Sequence, residues 1–404
     1  MEWPPGYPSK DKGKIVKLLK GLYGLKQASR LWQQTLYECL LDTSVGLKVC
    51  KTESGTMYLK DSKGNCICIV LVYVDDLIIC CHDKTLREKI VKLLASNFIL
   101  KCMGDLELYV GIVVTKDKDN IKGLETMDLD QEPYNNRYVG KYLPDDDNRT
   151  SKIPACPERL SATDCPTNQE DKPDYPYINV TGSLLYAAIC TRPDIFYATM
   201  QLARFNSNPG FKHVEGSKRL LRYVNNTANL GIRYTKSKDF KGKMKITAFV
   251  DSDWGGCIDT RRSTMGYIIH MANGPVSWKS KLMKTLALSS CEGEFMALTE
   301  VCRELMWLCR FLDEIGIPYE IPEVYCDSAS AINWSLDPIQ AQRNKHVEMR
   351  YYYCRDICAN NCVRLFKIHT TFNCADIMTK PVGYQILSKL APPAMGHCEP
   401  TLKA

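Results

Sequence analysis

Two adjacent carboxylates interrupt a run of β-forming residues early in the chain. Asp75 and Asp76 divide the segment NCICIVLVYVDDLIIC, residues 65–80, into two apolar halves. Asp is a common turn residue, so a solvated hairpin tip explains the pair about as well as a functional site does. In the functional interpretation, a rigid turn holds oxygen ligands where divalent metal ions neutralise a triphosphate and activate a primer hydroxyl.

A second set of acids lies in the last third of the chain. Asp251 falls on a predicted strand, Glu294 near the start of a predicted long helix, and Asp327 at the end of a later strand. Acids at helix starts are favourable in any protein, so each residue alone indicates little. Together, three acids on separate elements could share a pair of divalent ions if the fold brings them together.

The elements around the second set alternate between strands and helices. Residues 246–250, 266–270 and 276–278 are predicted to be three short strands of a meander. A long helix is predicted from Cys291, followed by the strand that ends at Asp327 and by further helix, strand and helix. One stripe of the long helix contains Glu294, Leu298, Val301, Leu305 and Leu308. This order indicates an α/β domain.

Strand and helix patterns also alternate from the start of the chain to about residue 115. A polar stretch from there to Pro173 is interpreted as a linker or an elaborated loop. Two helical patterns follow, around residues 184–205 and 214–224. The second carries Lys218, Arg219 and Arg222, which could line a phosphate backbone or form an ordinary solvated face.

Size and composition indicate a folded chain with more than one domain. The 404 residues exceed one ordinary core, and 45% hydrophobic with 25% charged residues is close to the globular average. A net charge of +7 tilts the chain weakly towards polyanions. No signal peptide and no apolar run of the ~18 residues of a membrane span are recognised, so we expect a reducing intracellular setting without a membrane.

The twenty cysteines are interpreted mainly as small apolar fillers. Four of them lie among Val, Ile and Leu: Cys66, Cys68, Cys80 and Cys81. Three others would share one face of a helix: Cys354, Cys358 and Cys362. A buried stripe is the favoured interpretation of these three over a metal site.

Longer runs of sequence resemble one known family. The run LLKGLYGLKQASRLW, then YVDD and then GDLELYVGI, closely resembles the reverse transcriptase of Copia-type long-terminal-repeat retrotransposons. Seven later runs follow the order seen in the RNase H domains of that family: DSDWGG, DTRRSTMGYI, VSWKSK, LALSSCEGEFMAL, CDSASAI, RNKHVEMRYYYCRD and CADIMTKP.

The resemblance implies the C-terminal part of a Pol polyprotein with an α/β and α+β multidomain fold. A partial reverse-transcriptase palm with a helical connection would precede an RNase H-like α/β domain. The implied bounds are 1–140 for a truncated reverse transcriptase, 141–240 for a linker and helical thumb or connection region, 241–385 for RNase H and 386–404 for a tail.

The resemblance also implies roles for single residues in the polymerase part. Asp75 and Asp76 would be metal ligands. Substrate would be bound by Gly24, Lys26, Gln27 and Arg30. The family's third metal ligand normally lies upstream of the residues that match Met1–Tyr7, so we expect this chain alone to lack useful polymerase activity.

In the RNase H part, the resemblance implies that Asp251, Glu294 and Asp327 hold two Mg²⁺ or Mn²⁺ ions, with Asp376 as a fourth acid. Asp253 and Glu292 compete with the first two at a spacing of two residues, and the family's sequence pattern favours Asp251 and Glu294. His346 would position substrate or help product leave, although a helix-surface histidine is an equal alternative.

The implied activity is RNA-directed DNA polymerisation joined to cleavage of RNA in RNA–DNA hybrids. The implied partners are an RNA–DNA hybrid, an RNA template with a DNA primer, and dNTPs. The implied location is cytoplasmic element particles, the nucleus or both. The alternative is a catalytically silent or domesticated remnant that binds nucleic acid without chemistry.

Overall fold

The computed structural model describes residues 17–19, 21–22, 24–118, 123–144, 146–237, 240–336 and 352–403. The chain divides into two compact units. Met1–Gly104 and Glu314–Gly316 belong to the first, and Asp105–Asp313 and Ile317–Ala404 to the second. His346, a predicted substrate residue, lies outside the described residues.

The first unit is an antiparallel sheet with two helices. Its elements in chain order are α1 (Ala28–Leu40), β1 (Lys48–Val49), β2 (Thr56–Lys60), β3 (Cys66–Tyr73), β4 (Asp76–Cys81) and α2 (Lys84–Asn97). The strands lie in the order β1-β2-β3-β4. Leu36 and Leu40 of α1 pack with Met57, Val70 and Ile90, because the apolar residues of α1 recur at helical spacing.

The second unit begins with a hairpin and a helix inside the stretch that was predicted to be a linker. β5 (Leu108–Tyr109), β6 (Ile112–Lys118), β7 (Glu125–Asp130) and α3 (Glu132–Tyr142) follow one another. The linker prediction is therefore wrong up to Tyr142. It failed because β6 ends in the polar run Thr115–Lys118, yet these residues still pair with β7, Lys116 opposite Met127.

Three helices and a strand complete this part of the second unit. They are α4 (Tyr177–Cys190), α5 (Pro193–Ala203), α6 (Phe211–Asn226) and β8 (Ile232–Thr235), and the sheet order is β5-β6-β7-β8. The single helix predicted around residues 184–205 is two helices. Pro193 begins α5 and disfavours helical geometry at Arg192, whose φ and ψ are −123° and 68°.

A mixed five-stranded sheet forms the rest of the unit. Its elements are β9 (Ile246–Asp253), β10 (Thr264–Met271), β11 (Gly274–Leu282), α7 (Ser290–Ile315), β12 (Glu323–Cys326), α8 (Ala329–Leu336), α9 (Tyr353–Ala359), β13 (Arg364–Lys367) and α10 (Tyr384–Ala394). The order is β11-β10-β9-β12-β13, with β9 to β11 antiparallel and β12 parallel to both β9 and β13. The predicted meander and long helix are confirmed, as is the mixed α/β and α+β fold class.

One apolar core joins the sheet to the helices α3–α6. Phe249 and Ile268 of the sheet pack in the same cluster as Leu184, Ile195 and Leu220 of the helices. The predicted stripe on α7 is buried throughout: Glu294, Leu298, Val301, Leu305 and Leu308. Among the described residues, no helix has both the length and the apolar character to cross a membrane.

The basic face predicted on α6 is not a simple surface stripe. Arg222 is 5% exposed, and its guanidinium donates to Asp147 Oδ2 at 2.6 Å and Glu215 Oε1 at 2.7 Å. Lys218 stacks over the ring of Tyr175. Arg222 therefore fits neither of the two alternatives drawn from the sequence, because its charge is already paired inside the unit.

The cysteine predictions hold in part. Cys68 is buried, but Cys80 is exposed rather than a filler. Cys354 and Cys358 lie buried on α9, whereas Cys362 follows the end of that helix. The three therefore do not share one helical face.

Candidate active site

Asp251 and Asp327 lie at the same edge of the five-stranded sheet. β9 and β12 are parallel and pair in register, with Val250 opposite Cys326. Each aspartate is the next residue after one member of this pair. Because the carboxyl ends of parallel strands meet at one edge, the register alone brings these two acids side by side.

Asp376 joins them from a later segment. The carboxylate oxygens of Asp251, Asp327 and Asp376 lie within 4.8 Å of one another. Asp376 is on the 3-10 segment Cys374–Met378, which Asn373 anchors to β9 by donating from Nδ2 to the Val250 carbonyl at 2.9 Å. The exposed fractions of Asp251 and Asp376 are 2% and 5%.

Glu294 completes the set from the first turns of α7. Its Oε1 accepts a hydrogen bond from the backbone N–H of Ser252 at 2.9 Å, and its Oε2 accepts from the Cys326 thiol at 3.7 Å. Glu294, Cys326 and Asp327 also form a group within 4.8 Å. Asp327 belongs to both groups, so the structure brings all four predicted acids of this part together in what we call the acid cluster.

The two competing acids have other partners. Asp253 forms an ion pair with Arg159 at 2.9 Å. Glu292 accepts a hydrogen bond from the backbone N–H of Leu288 at 2.8 Å and so stabilises the loop before α7. Neither belongs to the groups that could hold a metal among the described residues.

A threonine and a lysine that the sequence did not single out contact the cluster. Thr379 donates its hydroxyl to Asp251 Oδ2. Lys380 Nζ lies 3.1 Å from Asp376 Oδ2 and 3.7 Å from Asp251 Oδ2. Both follow Asp376 at spacings of three and four, which is the signal that could have identified them.

Burial and repulsion between neighbouring carboxylates raise the pKa of three acids of the cluster and so oppose their ionisation. Burial, followed by the charge of Asp251, raises the pKa of Asp376 to about 7. Burial also raises the pKa of Asp251 against the opposing charge of Lys380. For Glu294, burial and then Asp251 and Asp327 raise the pKa well above its usual range. Such a cluster favours added positive charge.

The residues present fit a hard divalent cation. The donors are carboxylate oxygens, which Mg²⁺ and Mn²⁺ prefer. Asp376 Oδ1 is buried without a hydrogen-bond partner in the described part of the chain, as a ligand atom awaiting a cation would be. Asp251, Glu294, Asp327 and Asp376 could therefore hold such ions.

The carboxylate pair of the first unit sits at a tight turn. Val74 and Asp75 join β3 to β4, with Tyr73 opposite Asp76. Val74 has φ +53°, a costly conformation for a β-branched residue. The indole N–H of Trp32 donates to the Val74 carbonyl at 2.8 Å and thereby ties α1 to the turn. Asp75 and Asp76 are both exposed.

The four predicted substrate residues of the first unit lie at the start of α1. Gly24 has φ +92°, and Gln27 immediately precedes the helix. Lys26 and Arg30 are exposed. The indole of Trp32, further along α1, donates the hydrogen bond that joins this helix to the acidic turn.

Comparisons with known proteins agree with the sequence patterns. Residues 1–156 match the family model described as reverse transcriptase (RNA-dependent DNA polymerase). The chain is 36% identical over 95% of its length to the retrovirus-related Pol polyprotein from transposon TNT 1-94 of Nicotiana tabacum, covering 28% of that protein. It is 33% identical, again over 95% of its length, to the Pol polyprotein from transposon RE1 of Arabidopsis thaliana, covering 25%. The chain thus spans about a quarter of the length of these relatives.

A solved structure also matches part of the chain. It is the N-terminal RNase H domain of a Mycobacterium tuberculosis protein, fused to maltose binding protein. The match covers 39% of this chain and 100% of that one, at 12% identity and a TM-score of 0.25.

Proposed function

This chain belongs to the Pol polyproteins of Copia-type retrotransposons, and from that premise we propose that its second unit contains a metal-dependent RNase H, which cleaves the RNA strand of RNA–DNA hybrids. The chain has a mixed α/β and α+β fold that includes a reverse transcriptase domain, and we assign the five-stranded sheet of the second unit to an RNase H-like α/β domain. We further propose that residues 1–140 form the reverse transcriptase region and 141–240 the linker and helical connection. Residues 241–385 would then form the RNase H domain and 386–404 the tail.

One observation carries the nuclease proposal. Four acids from four separate segments converge on one edge of the sheet, although a buried cluster of carboxylates is unfavourable by itself. Folding places them there against their mutual repulsion, which is the arrangement expected of a cation-binding catalytic site.

Asp251, Glu294, Asp327 and Asp376 are the proposed ligands of two Mg²⁺ or Mn²⁺ ions. When bound, such ions would supply a Lewis acid for the scissile phosphate and an activated water. The protein fixes the ligands: the Ser252 N–H orients Glu294, and the Thr379 hydroxyl orients Asp251. The Thr370 hydroxyl donates to Asp327 Oδ2 at 2.7 Å.

The test is cleavage of labelled RNA in an RNA–DNA duplex with Mg²⁺ or Mn²⁺. Wild-type protein should cut the hybrid, whereas Asp251→Asn and Asp327→Asn should abolish cutting and largely retain hybrid binding. Asp356→Asn is the matched control, because Asp356 is an exposed acid on α9 of the same unit. Equal cutting by all variants would refute the site. Binding without cutting by the wild type would favour the silent nucleic-acid-binding alternative.

For the first unit we propose that Asp75 and Asp76 serve RNA-directed DNA polymerisation in the intact polyprotein, with an RNA template, a DNA primer and dNTPs. The strained Val74 turn, held by Trp32, supports this because it fixes two exposed carboxylates rigidly. Gly24, Lys26, Gln27 and Arg30 are the proposed substrate contacts.

The polymerase proposal is tested in the intact polyprotein. Asp75→Asn with Asp76→Asn should abolish RNA-templated primer extension and leave hybrid cleavage unchanged. Asp251→Asn should do the reverse. Loss of both activities in either variant would contradict the assignment of two separate sites.

A further inference from the structure

Lys380 places its ammonium group between two carboxylates of the acid cluster. Nζ is 3.1 Å from Asp376 Oδ2 and 3.7 Å from Asp251 Oδ2. The Lys380 side chain is 33% exposed, whereas the side chains of Asp251 and Asp376 are 3% and 7% exposed. The ammonium therefore lies against two buried acids on a side chain that still reaches solvent.

The positive charge is distributed unevenly over the cluster. Within the described part of the chain, Lys380 forms both of the side-chain ion pairs found at the four acids. Glu294 is held instead by a backbone N–H and a thiol, and the carboxylate of Asp327 by the Thr370 hydroxyl. Lys367 donates to the backbone carbonyl of Asp327 and not to its carboxylate.

We propose that Lys380 is a built-in competitor for the divalent cation. In the free protein its ammonium neutralises Asp251 and Asp376, and it withdraws when a divalent cation binds these two carboxylates. In the described part of the chain, the Glu294–Asp327 side has no such ammonium, so the two sides of the cluster bind a cation with unequal affinity. This inference rests on the proposed function in taking the cation to be the cofactor of the nuclease.

The surrounding contacts allow such an exchange. The Thr379 hydroxyl donates to Asp251 Oδ2 from a separate side chain, so this carboxylate would stay oriented after Lys380 leaves. Among the described residues, Asp376 Oδ1 has no hydrogen-bond partner even with Lys380 in place. A lysine side chain is long and flexible, so it can turn towards solvent without moving the backbone. The single positive charge of Lys380 compensates the two carboxylates only partly, so a doubly charged ion can displace it.

The experiment is calorimetric titration of the full chain with Mn²⁺, without nucleic acid. Lys380→Met should bind Mn²⁺ about tenfold more tightly than wild type, or take up an additional equivalent. Lys380→Arg keeps the charge and should resemble wild type. Lys403→Met, at an exposed lysine, is the control for loss of one positive charge. A purely structural lysine would not give this pattern.

Lys380→Gln provides a second neutral variant, and circular dichroism at the titration temperature confirms that each variant is folded. Unchanged or weaker Mn²⁺ binding by folded Lys380→Met or Lys380→Gln would overturn the inference. Hybrid cleavage by wild type is measured in the same buffer. Failure of cleavage would count against the nuclease, whereas the titration uses the metal alone and judges Lys380 separately.

Discussion

Arg192 and Asp194 form an ion pair that solvent does not reach. Arg192 Nε donates to Asp194 Oδ1 and its NH2 group to Oδ2, both at 2.8 Å, and neither side chain is exposed. Tyr223 donates its hydroxyl to Asp194 at 2.9 Å, and Thr227 accepts the remaining guanidinium hydrogen bonds. The network joins the start of α5 to the end of α6.

Breaking this pair on one side should strongly destabilise the second unit. Arg192→Met leaves the Asp194 carboxylate buried without its counter-charge, which typically costs about 3–5 kcal/mol. Urea denaturation at neutral pH measures the loss. Arg303→Met is the control, because the Arg303 side chain is 63% exposed and a surface pair such as Arg303–Glu300 is worth only about 0–1 kcal/mol. Similar small losses in both variants would show that the buried network is dispensable.

His270 should make the protein sensitive to acid. Burial lowers the pKa of His270 to about 4, while its Nε2 lies 3.1 Å from the Ala394 carbonyl. In the unfolded chain the pKa is about 6.5, so the stabilisation is complete above that pH and is lost as the pH falls towards 4. The loss is on the order of 3 kcal/mol.

His270→Gln should remove this part of the acid sensitivity. The free energy of unfolding is measured by urea titration between pH 7.5 and pH 4.5 for both proteins. The difference in free energy of unfolding between wild type and variant should shrink as the pH falls, because the variant has no proton to take up at this position. Parallel pH profiles would argue against a buried neutral histidine.

Asp376 should make stabilisation by Mg²⁺ depend on pH. Its pKa is raised to about 7 in the folded protein, against about 3.9 when unfolded. Its protonated form therefore stabilises the metal-free protein at low pH, and this contribution is lost as the pH rises through 7. Cation binding needs the ionised carboxylate, so Mg²⁺ should raise the Tm more at pH 8 than at pH 6. Asp376→Asn should reduce the difference between the two Tm increases. An equal Mg²⁺-induced rise in the Tm of wild type at pH 6 and pH 8 would contradict the prediction.

Substitution of Asp251 should slow hybrid cleavage much more than substitution of Asp253. Asp251 belongs to the acid cluster, so Asp251→Asn should lower kcat for hybrid cleavage at least about 100-fold. Asp253 pairs with Arg159 instead, so Asp253→Asn should lower it less than about tenfold. Steady-state assays on one labelled hybrid provide the comparison. The reverse order would exchange the two assignments.

Local patterns were sufficient to predict much of the second unit. The meander of β9 to β11 and the buried stripe of α7 follow from strand and helix periodicity, which burial imposes directly on the sequence. The four acids were identified because they stand in motifs that resemble those of a known family. Their convergence depends on the parallel register of β9 and β12, which no local pattern specifies.

Other features depend on partners that are distant in the sequence. Arg222 resembles a surface residue until Asp147, 75 positions away, is seen to pair with it. The hairpin of β6 and β7 was missed because its polar residues occupy a partly solvated sheet. Lys380 was visible in the motif around Asp376, but its position between two carboxylates depends on Asp251 from another strand.

The anchoring of Asn373 and Thr379 to β9 has a consequence for the order in which the protein is made. Asp251 leaves the ribosome well before Thr379, its hydrogen-bond partner 128 positions later. A nascent polypeptide that ends between Asp251 and Asp376 contains β9 but lacks Asp376, the last acid of the cluster in chain order. Translation must pass Asp376 before the acid cluster can form, so the four carboxylates come together only after most of the chain has been synthesised.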